Sequence, residues 1–198
     1  MGVNNANLAA LIGSRICHDL ISPIGAITNG LELLDMAGNV QGPELDLISD
    51  SVGNAGARIR FFRVAFGAAG DQLLGRPEVV SILDDLNRGG RLNMQWGPLD
   101  AQPRSLTRLA FLALQCLETA TPYGGNAQVF CDRDEWTVTA NATKLIIDEP
   151  LWASLSDPQS QVGITPAQVQ FALLPVVAAE SGRTLQITFT DTQISIQF

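Results

Sequence analysis

One histidine, His18, stands in the whole chain, followed at once by Asp19 and five residues later by Pro23. An imidazole titrates near neutrality and is a nucleophile once deprotonated; an adjacent carboxylate can hydrogen-bond one ring nitrogen and leave the other to attack. That chemistry suits phosphoryl transfer. If the segment is helical, the apolar set Ile16, Leu20, Ile24, Ile27, Leu31 and Leu34 forms a stripe centred roughly 165° from His18, at about 100° per residue. The imidazole then faces away from the core. Ser14, Ser22, Gly25 and Asn29 share its face, all small or polar, so nothing bulky bars an incoming protein. Pro23 removes a backbone donor and is expected to bend the helix just below the site. Taken alone, a histidine beside an aspartate is also an ordinary solvated pair, so the surrounding elements matter.

The stripe around His18 repeats at steps of three and four, which predicts a long helix over residues 7–37. A turn is expected at Gly38-Asn39 and Gly42-Pro43. Leu45, Ile48, Val52, Ala55, Ile59, Phe62 and Phe66 then alternate steps of three and four, the signature of a heptad seam. One helical hairpin cannot bury two such stripes, whereas two hairpins from two subunits close a four-helix bundle, so the seam is expected between subunits of a homodimer. Beyond Gly75 the pattern changes. Helices are expected over 79–86, 103–119 and 166–179, the last with Thr165 as N-cap and Pro175 kinking or shortening it. Strands are expected over 91–96, 127–131, 136–140, 185–190 and 193–198, with a short addition at 144–147. The predicted class is α+β: residues 1–73 as a helical hairpin for dimerisation and phosphotransfer, then residues 74–198 as helices over one face of a largely antiparallel sheet.

Composition narrows the partners. With 20 acidic and 12 basic residues among 198, the net charge is −8 and no basic tract appears, so nucleic acid and anionic lipid are poor partners. The three cysteines, Cys17, Cys116 and Cys131, are odd in number and widely spaced, forming neither a disulfide framework nor a zinc cluster. No signal peptide or membrane span is readable, and a cytoplasmic location is expected.

The stretch Arg15-Ile-Cys-His-Asp-Leu-Ile-Ser-Pro-Ile-Gly-Ala-Ile-Thr-Asn-Gly-Leu-Glu-Leu-Leu, residues 15–34, resembles the H-box of two-component histidine kinases. Its wording is most similar to the alphaproteobacterial ChpT-type histidine phosphotransferases, specifically over residues 8–36 and in topology beyond. The resemblance implies a homodimer whose four-helix bundle is followed by a degenerate Bergerat/GHKL-like copy of the kinase ATP-binding domain. It implies a cell-cycle phosphorelay in which phosphate arrives from the receiver domain of a CckA-type hybrid kinase and leaves to CtrA- and CpdR-type response regulators. It makes His18 the phosphorylated residue and Asp19 its acid/base or orienting partner. The receiver-contacting set expected around them is Ser14, Arg15, Ile21, Ser22, Gly25 and Asn29.

ATP-dependent kinase activity is not expected. The helix in the place of the kinases' Mg²⁺-holding asparagine helix, residues 104–119, contains Gln115 and Glu118 but no asparagine. Where those domains have Asp-x-Gly-x-Gly, this chain reads Ile146-Ile-Asp-Glu-Pro-Leu-Trp, and Gly163 is the one glycine between Asn126 and Gly182. A phosphate cradle cannot be built from that. No cofactor and no metal site are expected on this chain; Mg²⁺ would belong to the partner receiver. Glu32, Asp35, Asp84 and Asp85 read as solvated faces, and Trp96, Trp136 and Trp152 as core or interface anchors. Arg58, Arg60 and Arg63 could support receiver docking or phosphate charge, or simply face solvent. Two further readings stay open at this point: a non-catalytic docking module that sequesters a regulator, and an ATP-dependent kinase core with unusual loops.

Overall fold

The computed structural model describes residues 5–37, 43–68, 70–157 and 163–198. The turn expected at 38–42 lies outside them, as does the side chain of Asp35. Helix α1 (Asn5–Ala37) runs through Pro23 without ending there. Proline has no N–H, so the carbonyl of Asp19, four residues earlier, has no intrahelical donor. Helix α2 (Pro43–Ala65) packs back along α1 and brings Arg58 against Asp19. The C-terminal carbonyls of α2 and the residues just after it are taken by two arginines of the later helix α4 (Arg104–Ala120). Arg104 donates to the carbonyls of Arg63 at 2.7 Å and Ala68 at 3.2 Å, and Arg108 to that of Ala65 at 3.2 Å. Cationic side chains at a helix C-terminus satisfy orphan carbonyls and complement the dipole.

Between them lie β1 (Leu73–Leu74), α3 (Arg76–Asn87), β2 (Leu92–Trp96) and β3 (Gln102–Pro103); β1 and β3 form a small antiparallel pair. After α4 come β4 (Gly125–Asp132), β5 (Glu135–Asn141), α5 (Glu149–Ala153), a 3₁₀ turn (Pro166–Gln168), α6 (Val169–Glu180), β6 (Gln186–Phe189) and β7 (Gln193–Gln197). The main sheet is mixed, in the order β2-β4-β5-β7-β6. Its β2–β4 pair is parallel, as the α4 crossover requires, and the other pairs are antiparallel. Gly124 admits the chain to β4 with φ +92°, where a Cβ would lie 2.6 Å from the Arg91 carbonyl. Alternation turns Val129, Val138 and Ile196 of one rung, and Ala127, Ala140 and Ile194 of the next, toward the helices. On the other face Thr139 bonds Ser195 at 3.2 Å and Gln128 bonds Gln95 at 2.9 Å.

Helix α4 contacts β4 and β5 on one side, α2 on another and α6 beside it, which explains why every side chain from Leu109 to Leu117 is buried. Trp96, Trp136 and Trp152 are all buried. Trp136 stacks on Phe198, and Trp152 meets Phe171 edge-on with centroids 5.1 Å apart.

Several sequence expectations are corrected. Residues 144–147 form no strand: the preceding β5 is already paired with β4 and β7 on both sides, and the Ile146 amide instead donates to the Ala120 carbonyl at 2.9 Å. The chain goes on into the unexpected α5. The helix expected over 166–179 begins as a separate 3₁₀ turn, and α6 continues past Pro175 to Glu180. The heptad seam also divides. Phe62 is buried within its own chain, its ring 5.2 Å from that of Phe66, and neighbouring Phe61 stacks on Phe111 of α4 at 4.6 Å. The α4 surface claims that end of α2, while Leu45, Val52 and Ile59 remain exposed on the single chain.

Among the described residues no helix is long and apolar enough to cross a membrane.

Candidate functional site

Apolar spacing on α1 decides which side chains are presented. Ile16 and Leu20 are half-buried against the rest of the chain, and His18 between them projects outward with its side chain 81% exposed. Asp19 turns the other way and is 9% exposed. Its carboxylate is nevertheless shared. Oδ1 lies 3.0 Å from His18 Nδ1, and Oδ2 is 2.8 Å from Arg15 Nε and 3.5 Å from Arg58 Nη1. A carboxylate only accepts, so the neutral ring carries its proton on Nδ1 and its lone pair on Nε2. The nitrogen left with a free lone pair is thus the one away from Asp19, on a largely exposed ring.

The arginines are anchored in turn. Arg58 donates from Nε to Asn54 Oδ1 at 2.9 Å within α2, and Arg15 donates from Nη1 to the Ala167 carbonyl of the 3₁₀ turn at 2.5 Å. Glu118, at the end of α4, faces the same cluster. Desolvation raises its carboxyl above the ordinary range, Arg15 and Arg58 pull it back down and Asp19 pushes it up, although the residue keeps a solvent-exposed rim. Beside Asp19 an open groove of about 870 Å³ runs between α1, α2 and the end of α3, lined by Ser22, Arg58, Arg60, Asp85 and Arg88 among others. Asp85 is no solvated bystander there: it pairs with Arg60 across the helices and with Arg88 at 3.2 Å.

Of the residues singled out from the sequence, Ser14, Ile21, Ser22, Gly25 and Asn29 lie exposed along the His18 side of α1. Arg15 is turned inward, 14% exposed, onto Asp19 and Ala167. Three contacts of this cluster went unread. The Arg15–Asp19 pair has the i, i+4 spacing that helices bring together and was legible in principle. Arg58 meets Asp19 only through the register of the hairpin, and Ala167 contributes a backbone oxygen, which no residue type signals.

In the α/β layer, the Asp148 carboxylate accepts from the Leu151 amide at 3.2 Å and caps α5; Leu151, Trp152 and Leu155 are buried, and Trp152 meets Phe171 of α6.

A sequence model of the family described as histidine phosphotransferase C-terminal domain matches residues 76–193. The protein phosphotransferase ChpT of Brucella abortus (strain 2308) is 32% identical over 193 residues, 93% of this chain and 91% of that protein. The solved structure of a bacterial phosphotransferase superposes with a TM-score of 0.82 at 30% identity, over 100% of this chain and 98% of that one. The family match spans more than half the chain and the relative nearly all of it, so this protein belongs to the ChpT-type histidine phosphotransferase family.

Proposed function

We propose that this protein relays a phosphoryl group on His18 between receiver domains in a cytoplasmic cell-cycle phosphorelay. The observation that carries the reading is the His18–Asp19 geometry, with Nδ1 held by a carboxylate and Nε2 open to solvent. Nε2 attacks the phosphorus of an aspartyl phosphate in line; the Nε2–P bond forms as the bond to the aspartate oxygen breaks, returning a free carboxylate to the donor. The imidazole becomes cationic, its proton stays on Nδ1, and Asp19 stabilises that charge. The same steps in reverse deliver the group to a second receiver's aspartate. Mg²⁺ is expected on the receiver. The family resemblance suggests a CckA-type hybrid kinase as donor and CtrA- and CpdR-type regulators as acceptors, docking over Ser14, Ile21, Ser22, Gly25 and Asn29 beside His18.

The protein acts as a homodimer in this reading. Ile24, Leu31, Val52 and Ile59 expose apolar surface on a single hairpin, and a second hairpin would cover it in a four-helix bundle. The α/β portion is read as a former nucleotide domain that no longer takes ATP, since its aspartate caps a helix and aromatic packing fills the neighbourhood. Incubation of the full chain with a radiolabelled phospho-receiver tests the relay. The expected result is an acid-labile, base-stable label on this chain that His18→Ala abolishes; no label, or an acid-stable one, overturns it.

A further inference from the structure

Neighbouring residues on a helix leave the axis about 100° apart and do not face each other. His18 and Asp19 obey that rule in exposure, 81% against 9%, yet their side chains meet at 3.0 Å. Some third group must hold the carboxylate toward the ring. We infer that Arg15 is a positioning residue that ties the Asp19 carboxylate to the 3₁₀ turn before α6, so that the α/β layer sets which nitrogen of His18 reacts.

The bonds form a continuous line. Arg15 uses Nε for Asp19 Oδ2 at 2.8 Å and Nη1 for the Ala167 carbonyl at 2.5 Å, the latter acceptor 152 residues from Arg15 in sequence. The Ala167 carbonyl is itself fixed. Gln170, 1% exposed, donates to it at 3.1 Å and to Thr119 Oγ1 of α4 at 3.1 Å, and Thr119 bonds the Gln115 carbonyl within α4. The turn that presents this carbonyl is closed by the Thr165–Gln168 capping box, with the Thr165 amide donating to Gln168 Oε1 at 3.2 Å. From α4 to His18 each link is a directional bond; Gln170 is buried and Arg15 and Asp19 are nearly so, while Thr119, Ala167 and His18 are exposed. Arg58 meets the same Oδ2 from α2, at the longer distance of 3.5 Å. Both guanidinium contacts fall on Oδ2, which leaves Oδ1 for the ring.

A planar guanidinium can bridge two acceptors in fixed directions, which an ammonium on a flexible stem does not reproduce. Removal of the bridge frees the Asp19 side chain to rotate away, and Nδ1 loses its partner. A misplacement of that kind costs rate and not affinity, because Arg15 is turned inward with its side chain 14% exposed and offers a docking partner little surface.

This inference rests on His18 as the phosphoryl acceptor, and the test separates the two. Full-length wild type, Arg15→Ala and Arg15→Lys are compared by ¹⁵N NMR of the His18 ring and by transfer from a phospho-receiver. In wild type the ring should be predominantly Nδ1–H. In both variants the tautomers should mix, kcat should fall roughly 10- to 100-fold, and KM for the receiver should stay within about twofold, with circular dichroism unchanged. Gln170→Leu, which loosens the Ala167 carbonyl, should shift the tautomer in the same direction. A wild-type tautomer and kcat in folded Arg15→Lys overturn the inference, as does a raised KM at unchanged kcat, which would place Arg15 in the receiver interface. Should Arg15→Ala not fold, the lysine and Gln170 variants decide alone. No label on wild type would sink the relay, while the tautomer measurement still reads the positioning.

Discussion

Asp19 Oδ1 sits 3.0 Å from His18 Nδ1 although one side chain is nearly buried and the other almost wholly in solvent. That contact assigns the ring's proton and places the charge that stabilises an imidazolium. Asp19→Asn removes the charge at nearly constant shape, and phosphoryl acceptance should slow roughly 10²-fold with little change in receiver affinity. Rapid-quench kinetics with a labelled receiver measure it; a wild-type rate would make Asp19 a bystander.

His18→Ala should abolish acceptance and leave the fold intact. The side chain is 81% exposed and packs against little, so the change in stability should fall within about 0.5 kcal/mol. A thermal melt beside the labelling assay checks both halves. A large loss of stability would show that the imidazole supports the helix.

Two residues of the same seam should behave differently. Phe62 is core within its own chain, and Phe62→Ala should cost about 3–5 kcal/mol of folding stability by denaturant titration. Ile59 is 46% exposed on the single chain, so Ile59→Asp should leave the chain folded but monomeric in analytical ultracentrifugation, where wild type should sediment as a dimer. A folded dimer from Ile59→Asp moves the subunit contact elsewhere.

Titration calorimetry of the full chain with Mg²⁺-ATP should show no binding at millimolar nucleotide. Asp148 is engaged with the Leu151 amide, and Trp152 is packed edge-on against Phe171. Trp152→Ala should destabilise the protein by about 3–5 kcal/mol. A measurable ATP affinity in wild type would revive the kinase reading.

The cysteines should separate by reactivity and by pH. Cys17 is exposed beside His18, whereas burial raises the Cys116 thiol well above its ordinary value of 9.0. A disulfide reagent should therefore modify Cys17 quickly and Cys116 only on unfolding. The folded chain keeps Cys116 protonated where the unfolded chain ionises, so its contribution is fully present below pH 9.0 and declines as pH rises past it. Denaturant melts between pH 7 and 10 should show that decline, reduced in Cys116→Ala; an identical profile in the variant would remove Cys116 as its source.

The candidate acceptor and the exposure of its side chain were legible in the sequence. A single histidine, the stripe from Ile16 to Leu34 and small residues at four-residue steps suffice to turn an imidazole toward solvent, because helical periodicity is a local property. The same holds for the β4–β5 and β6–β7 hairpins, whose alternation survives as inward-facing Val129, Val138, Ile194 and Ile196. The spacing from Leu45 to Phe66 marked an apolar face but not its neighbours, and competition between α4 and open surface sent Phe62 inward and left Ile59 outside. Residues 144–147 had strand-like character, yet β7 occupies the side of β5 next to which they could have paired, and the Ile146 amide bonds the Ala120 carbonyl instead. Asp19 is held by Arg58 and, through Arg15, by the Ala167 carbonyl. Those contacts depend on hairpin register and on a backbone oxygen 152 residues away, so only the folded chain could bring them to the histidine.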